Sequence, residues 1–134
     1  MKSVVVGFID TPAGRAALDQ AIAEAQLRSA QLVLVHSMYG ENRESDQEYI
    51  EARQALEQVE KNLAQAGVPF QVHEYVRGQS PAEDLIQAAT DFDAEIMVIG
   101  TRRRTTTGKV LLGSNALEIL HDAPCPVLCV RADG

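Results

Sequence analysis

No apolar run in this chain is long enough to cross a membrane. The opening run Val4-Val5-Val6-Gly7-Phe8-Ile9 is short, and neither a cleavage site nor a second apolar stretch follows it. The sequence therefore reads as a soluble, cytoplasmic protein. Cysteine is scarce: of 134 residues only Cys125 and Cys129 carry a thiol. In the last expected strand, four residues apart, their Cα atoms would sit roughly 13 Å from each other. That is too far for a disulfide. Both are expected to be small buried hydrophobes. Positive charge is short as well, with 12 Lys and Arg against 19 Asp and Glu, a formal net charge of -7. A broad nucleic-acid surface is disfavoured on that balance, and no reading helix is recognisable. The chain also lacks a Gly-x-Ser-x-Gly elbow, and His36, His73 and His121 are scattered, with no pair at metal-ligand spacing. No internal repeat, linker or low-complexity tail divides it. Hydrophobic residues make up 46%, enough for one packed domain spanning 1–134.

What the chain does have is an alternation of strand and helix patterns. Strands are expected at about 3–9, 31–37, 70–76, 95–99 and 126–131. Helices are expected from Pro12, with apolar positions through Ala25, and at about 45–66, 81–91 and 114–122. Thr11 before Pro12 supplies a helix cap and a first-turn proline. Ser80-Pro81-Ala82-Glu83 places a cap, a first-turn proline and a capping-box glutamate in order. Gly67 ends the second helix. The runs Val4-Val5-Val6 and Leu32-Val33-Leu34-Val35 are continuously apolar, as in strands buried on both faces. The fold class is therefore α/β: an open, doubly wound, five-stranded parallel sheet with helices on both faces. In such sheets ligands bind beyond the carboxyl ends of strands, where the strand order reverses.

One stretch reaches that end carrying unusual chemistry. Gly100 to Ser114 reads Gly-Thr-Arg-Arg-Arg-Thr-Thr-Thr-Gly-Lys-Val-Leu-Leu-Gly-Ser, between the apolar Ile96-Met97-Val98-Ile99 and a helical pattern. Arg102, Arg103, Arg104 and Lys109 put local positive charge on an acidic protein. A helix start adds free N–H groups and the positive end of a dipole, and together these suit a phosphate-bearing ligand. A P-loop is rejected: it needs glycine where Arg103 stands and a hydroxyl where Val110 stands. The plainer readings stay open. The arginines can be a solvated loop, Gly113 can serve helix packing, Ser114 can cap the helix, and Asp10 can be a turn residue.

Gly100, two residues, Arg103, nine residues, then Gly113-Ser114 resembles the nucleotide signature of the universal stress protein family, Gly-x-x-Gly, nine residues, Gly-Ser or Gly-Thr. The closing Ala123-Pro124-Cys125-Pro126-Val127-Leu128-Cys129-Val130 and the opening Val4 to Leu18 resemble that family too, so the likeness runs through the whole chain. It implies a Rossmann-like sheet of the adenine nucleotide alpha hydrolase-like type, a cytoplasmic homodimer, and ATP or another adenine nucleotide as ligand, with Mg only alongside nucleotide. Carried onto this chain, Gly100, Gly113, Ser114 and Asn115 are expected to meet phosphate or ribose, with Arg102 and Arg103 beside them. The backbone of Ser37 is expected near the base, and Asp10 and Thr11 in the first turn. Two positions depart from the family's pattern. Arg103 replaces its second glycine, exchanging close backbone approach for a charged fork. Ile9 stands where ATP-binding members carry aspartate, with Asp10 one position late.

The expected function is a nucleotide-responsive regulatory module without dedicated catalysis. The alternative is a ligand-free dimeric interaction protein whose basic loop docks on an acidic or phosphorylated partner. Slow nucleotide hydrolysis is a third reading, with Asp10 as its one candidate carboxylate. The homodimer is expected through the last strand, 126–131. Pro126 lacks a backbone donor, which puts that strand at a sheet edge, and its apolar run invites pairing with a second copy.

Overall fold

The computed structural model describes residues 1–9, 11–37, 46–75, 79–101 and 112–132. Strands and helices alternate: β1 (Ser3–Gly7), α1 (Pro12–Arg28), β2 (Gln31–Ser37), α2 (Asp46–Ala66), β3 (Phe70–Tyr75), α3 (Pro81–Asp91), β4 (Ile96–Thr101), α4 (Ser114–Asp122) and β5 (Val127–Arg131). The described strands form one parallel sheet in the order β3-β2-β1-β4-β5. The chain winds outward from β1 to β3, then returns to the other side of β1 for β4 and β5. The order reverses between β1 and β4.

The uninterrupted apolar strands are buried on both faces. Val4, Val6, Leu32, Leu34, Ile96 and Val98 face α1 and α2. Val5, Val33, Val35, Met97 and Ile99 face α3 and α4. Helix α1 meets the sheet through Ala17, Ala21 and Ala25, each no more than 1% exposed. Side chains this small let its backbone lie close to the strands. Helix α2 contributes the bulk, Leu56 and Leu63, while its Ile50 stays exposed.

The local signals act as their chemistry requires. Thr11 Oγ1 accepts from Gly14 N at 3.0 Å, capping α1. Ser80 and Glu83 exchange both bonds of a capping box, 3.1 and 2.9 Å. Gly67 ends α2 at φ +72°, the left-handed region where glycine is unstrained.

At the amino end of the sheet, Arg28 bonds Glu24 and Glu95 at 3.0 Å each, and Lys2 lies 3.5 Å from Glu95. This cluster ties the end of α1 to the entries of β1 and β4. A row of amides and hydroxyls crosses three strands nearby: Gln31 Nε2 donates to Ser3 Oγ, and Gln71 Nε2 donates to Gln31 Oε1. No described helix is long and apolar enough to cross a membrane.

Strand β5 lies at the sheet edge, as the proline before it requires, but the cysteines differ from expectation. Cys125 precedes the strand and packs, half-buried, against the α3 and α4 side. Cys129 is exposed. The strand's burial alternates because Leu128 and Val130 turn toward the α1 side.

Candidate functional site at the carboxyl edge of the sheet

The reversal of strand order leaves a crevice beyond the carboxyl ends of β1 and β4, since the connections from these two strands diverge to opposite faces. Each helix that follows a parallel strand runs back toward the amino end of the next. Both α1 and α4 therefore begin at this edge.

On the β1 side the backbone is tightly fixed. Ile9 O accepts from Thr11 N at 2.9 Å. Helix α1 turns so close above it that a Cβ on Gly14 would lie 1.9 Å from the same oxygen. Ile9 itself points outward, 56% exposed, and gives the crevice an apolar rim. Thr11 is occupied as the α1 cap, its oxygen used as acceptor and its hydroxyl proton left to donate.

Gly100 was expected in the loop after the fourth strand; the strand extends over it. It pairs with Val130 of β5, and Thr101 pairs with Arg131. A Cβ on Gly100 would lie 2.4 Å from Ala13 O. Its glycine is therefore demanded by the first turn of α1 crossing β4. Thr101, buried, donates its hydroxyl to Val130 O at 3.4 Å and closes the strand end.

The start of α4 is built differently from the other two described caps. Gly113 is the cap residue, φ -69° and ψ 169°, with no side-chain hydrogen bond. Ser114, read in the sequence as a possible cap, is instead the first helical residue, one position too late to cap. Among the described residues nothing lies within 4 Å of where a Gly113 Cβ would stand, so helix packing does not account for that glycine. Ser114 and Asn115 are exposed in the first turn. Among the described residues, Leu117 N is the first amide bonded back into the turn, to Gly113 O at 3.1 Å. The N–H groups ahead of it have no partner inside the helix and stand at the positive end of its dipole, an arrangement that suits an anion.

Ser37 is the last residue of β2, in register with Tyr75 of β3. Its backbone reaches the same edge, one strand from β1. The expected site residues Asp10, Arg102 and Arg103 lie outside the described residues. Thr11, Ser37, Gly100, Gly113, Ser114 and Asn115 all fall at the one edge.

A charged cluster at the same edge was not anticipated. His36 Nδ1 lies 3.6 Å from Glu74 Oε1, and that oxygen accepts from Arg53 Nη1 at 2.7 Å. Three residues on β2, α2 and β3 leave no local spacing by which the sequence could have shown it. At the far end of α4, Asp122 hydrogen-bonds His121 at 2.7 Å and raises its pKa above the ordinary value. A cavity of about 340 Å³ opens at the opposite end of the sheet, between Ser29 and Gly67 at the ends of α1 and α2. It is remote from the crevice.

Known proteins share this architecture. A universal stress protein of Mycolicibacterium smegmatis is 38% identical over 135 residues, covering 98% of each chain. The solved universal stress protein of Archaeoglobus fulgidus is 33% identical with a TM-score of 0.81, covering 97% of this chain and 98% of that one. A universal stress protein structure from the same organism, in complex with dAMP, is 28% identical with a TM-score of 0.74 and the same coverage. The profile of the Universal stress protein family matches residues 1–131. The chain belongs to the universal stress protein family.

Proposed function

We propose that this protein is a nucleotide-responsive regulatory module that binds ATP or another adenine nucleotide in the crevice beyond β1 and β4. The observation that carries the reading is the start of α4. It is opened by Gly113 and left without a side-chain cap, and among the described residues nothing lies within 4 Å of where a Gly113 Cβ would stand. A relative of the same fold, 28% identical, is in complex with dAMP, a ligand of the same class.

In this reading the phosphates sit on the N–H groups of Ser114 and Asn115. Arg102 and Arg103 supply the counter-charge that an acidic chain otherwise lacks. The sugar lies by the first turn, at Asp10 and Thr11, and the base reaches toward the backbone of Ser37. Mg accompanies a bound triphosphate. The nucleotide acts as a signal: it selects one conformation of the crevice surface, and a protein partner reads that conformation. Turnover of the nucleotide is not part of the function.

The outer edge of β5, unpaired among the described strands, supports a homodimer. A second copy adds its own β5 antiparallel across a two-fold axis and covers Leu117 and Leu120, which are 55% and 44% exposed on α4. Sedimentation at micromolar concentration is expected to give the mass of two chains; one chain rejects the dimer.

Native mass spectrometry of the freshly purified protein, with nucleotide analysis of a denatured extract, tests the main reading. AMP, ADP or ATP near one per chain is the expected result. A bare protein that gains no thermal stability from millimolar adenine nucleotide overturns it.

A further inference from the structure

The cavity at the amino end of the sheet lies where α1 and α2 both finish. Ser29 and Gly67, through which the chain leaves the two helices, line it together with Gln26 and Ala66 of the last turns. A helix closes with unbonded carbonyls and the negative end of its dipole. In α1 the last bonds run from Ser29 N to Gln26 O and from Ala30 N to Ala25 O. In α2 they run from Gly67 N to Ala64 O and from Val68 N to Leu63 O. Among the described residues no backbone amide reaches the carbonyls beyond these, of Leu27 and Arg28 in α1 and of Gln65 and Ala66 in α2. Cations commonly answer such ends. The last-turn cation of α1 is engaged elsewhere, since Arg28 bonds Glu24 and Glu95 at 3.0 Å each. The last turn of α2 has no basic residue. Among the described residues no charged side chain lines the cavity.

The two exits also differ. The chain leaves α2 through Gly67 at φ +72° and α1 through Ser29 at φ +54°. Glycine is unstrained in that left-handed region, and a side chain is costly there. Serine nevertheless stands at the α1 exit, and brings a hydroxyl to the residues that line the cavity.

We propose that this cavity binds a small primary alkylammonium, with its positive head at the two helix ends and its short aliphatic chain against Ala30, Val68 and Pro69. The head donates to the Ser29 hydroxyl oxygen and to carbonyl oxygens at the helix ends. At about 340 Å³ the space is far larger than a bare metal ion, which needs oxygen donors on every side. The formal net charge of -7 draws cations to the chain as a whole. The cavity is remote from the crevice, so the proposal does not rest on the nucleotide reading.

The test is an NMR titration of the isotope-labelled protein with n-butylammonium chloride at about pH 7, where the amine is ionised. Saturable shifts of the Ser29 and Gly67 amides are expected, half-complete at roughly 1 mM. n-Butanol, similar in shape but uncharged, is expected to bind at least about tenfold more weakly. Potassium chloride at equal ionic strength is expected to leave these amides in place. Ser29→Gly relieves the left-handed strain, so urea unfolding is expected to show no loss of stability while binding weakens at least about threefold. Ala66→Leu brings bulk to the cavity from an exposed position and is expected to abolish the shifts. No saturation below about 20 mM overturns the site. Butanol binding as tightly overturns the charge complementarity, and potassium shifting the same amides overturns the alkylammonium class. Binding unchanged in both variants places the ligand elsewhere and overturns the cavity as its site.

Discussion

Gly100 of β4 lies so close beneath Ala13 of α1 that a single added carbon would stand 2.4 Å from the Ala13 carbonyl oxygen. The obstacle is backbone on both sides, so no side-chain rotation relieves it. Gly100→Ala is expected to destabilise the fold by about 3 kcal/mol or more, measured by urea unfolding. Gly113→Ala is the contrasting case. Among the described residues nothing lies within 4 Å of its new carbon, and its φ of -69° suits any residue. Stability is expected to change by under about 1 kcal/mol. Affinity for AMP is expected to fall roughly tenfold, the worth of about one hydrogen bond. If both glycines prove equally costly to the fold, Gly113 is a structural residue and the reading of the α4 start is wrong.

Two helix caps are made by single oxygens, Thr11 Oγ1 to Gly14 N and Ser80 Oγ to Glu83 N. Thr11→Ala and Ser80→Ala are each expected to cost about 1 kcal/mol. The sites are on different helices and share no partner, so the losses are expected to add in the double variant. Thermal or urea unfolding of the three proteins checks this.

His121 offers a titration with a defined direction. Its hydrogen bond to Asp122 raises its pKa above the ordinary histidine value. A histidine raised in the fold adds stability that is complete below its unfolded value and is lost as pH climbs through the folded one. The side chain is exposed, so the effect on stability is expected to be small. The site-specific reading is clear: NMR titration is expected to place His121 above an unperturbed histidine, and Asp122→Asn to bring it down.

The two thiols separate by accessibility. Burial raises the pKa of each above the ordinary thiol value. Cys129 is nevertheless exposed while Cys125 packs against the α3 and α4 side. A maleimide at neutral pH is expected to modify Cys129 first, read by peptide mass spectrometry. Faster modification of Cys125 would place β5 differently from this structure.

The sequence declares whatever is encoded over a few residues. Pro12 after Thr11 marks the start of α1, and the Ser80 to Glu83 box marks α3, because capping is a contact between neighbours in the chain. The doubly apolar strands β1 and β2 announce a covered parallel sheet for the same reason. Contacts between distant segments carry no such mark. Nothing around Gly100 says that Ala13 will press on it, and a glycine in a phosphate-loop pattern reads as a ligand glycine first. Cys129 looks buried from its apolar neighbours, yet which side of an edge strand is covered depends on where α4 comes to rest. The cluster of His36, Arg53 and Glu74 was hidden because three elements bring it together.

Strand β1 stands between β2 and β4, with Val4 in register with both Leu32 and Ile96. The first of these pairings closes a short stretch of chain; the second closes most of its length. Closing the longer loop is slower and gains nothing until it is complete. A chain growing from its amino end can lay down β1, β2 and β3 as one side of a sheet before β4 exists, but the crevice has only one wall until β4 docks. Any ligand held between the two walls can recognise only molecules that have finished folding.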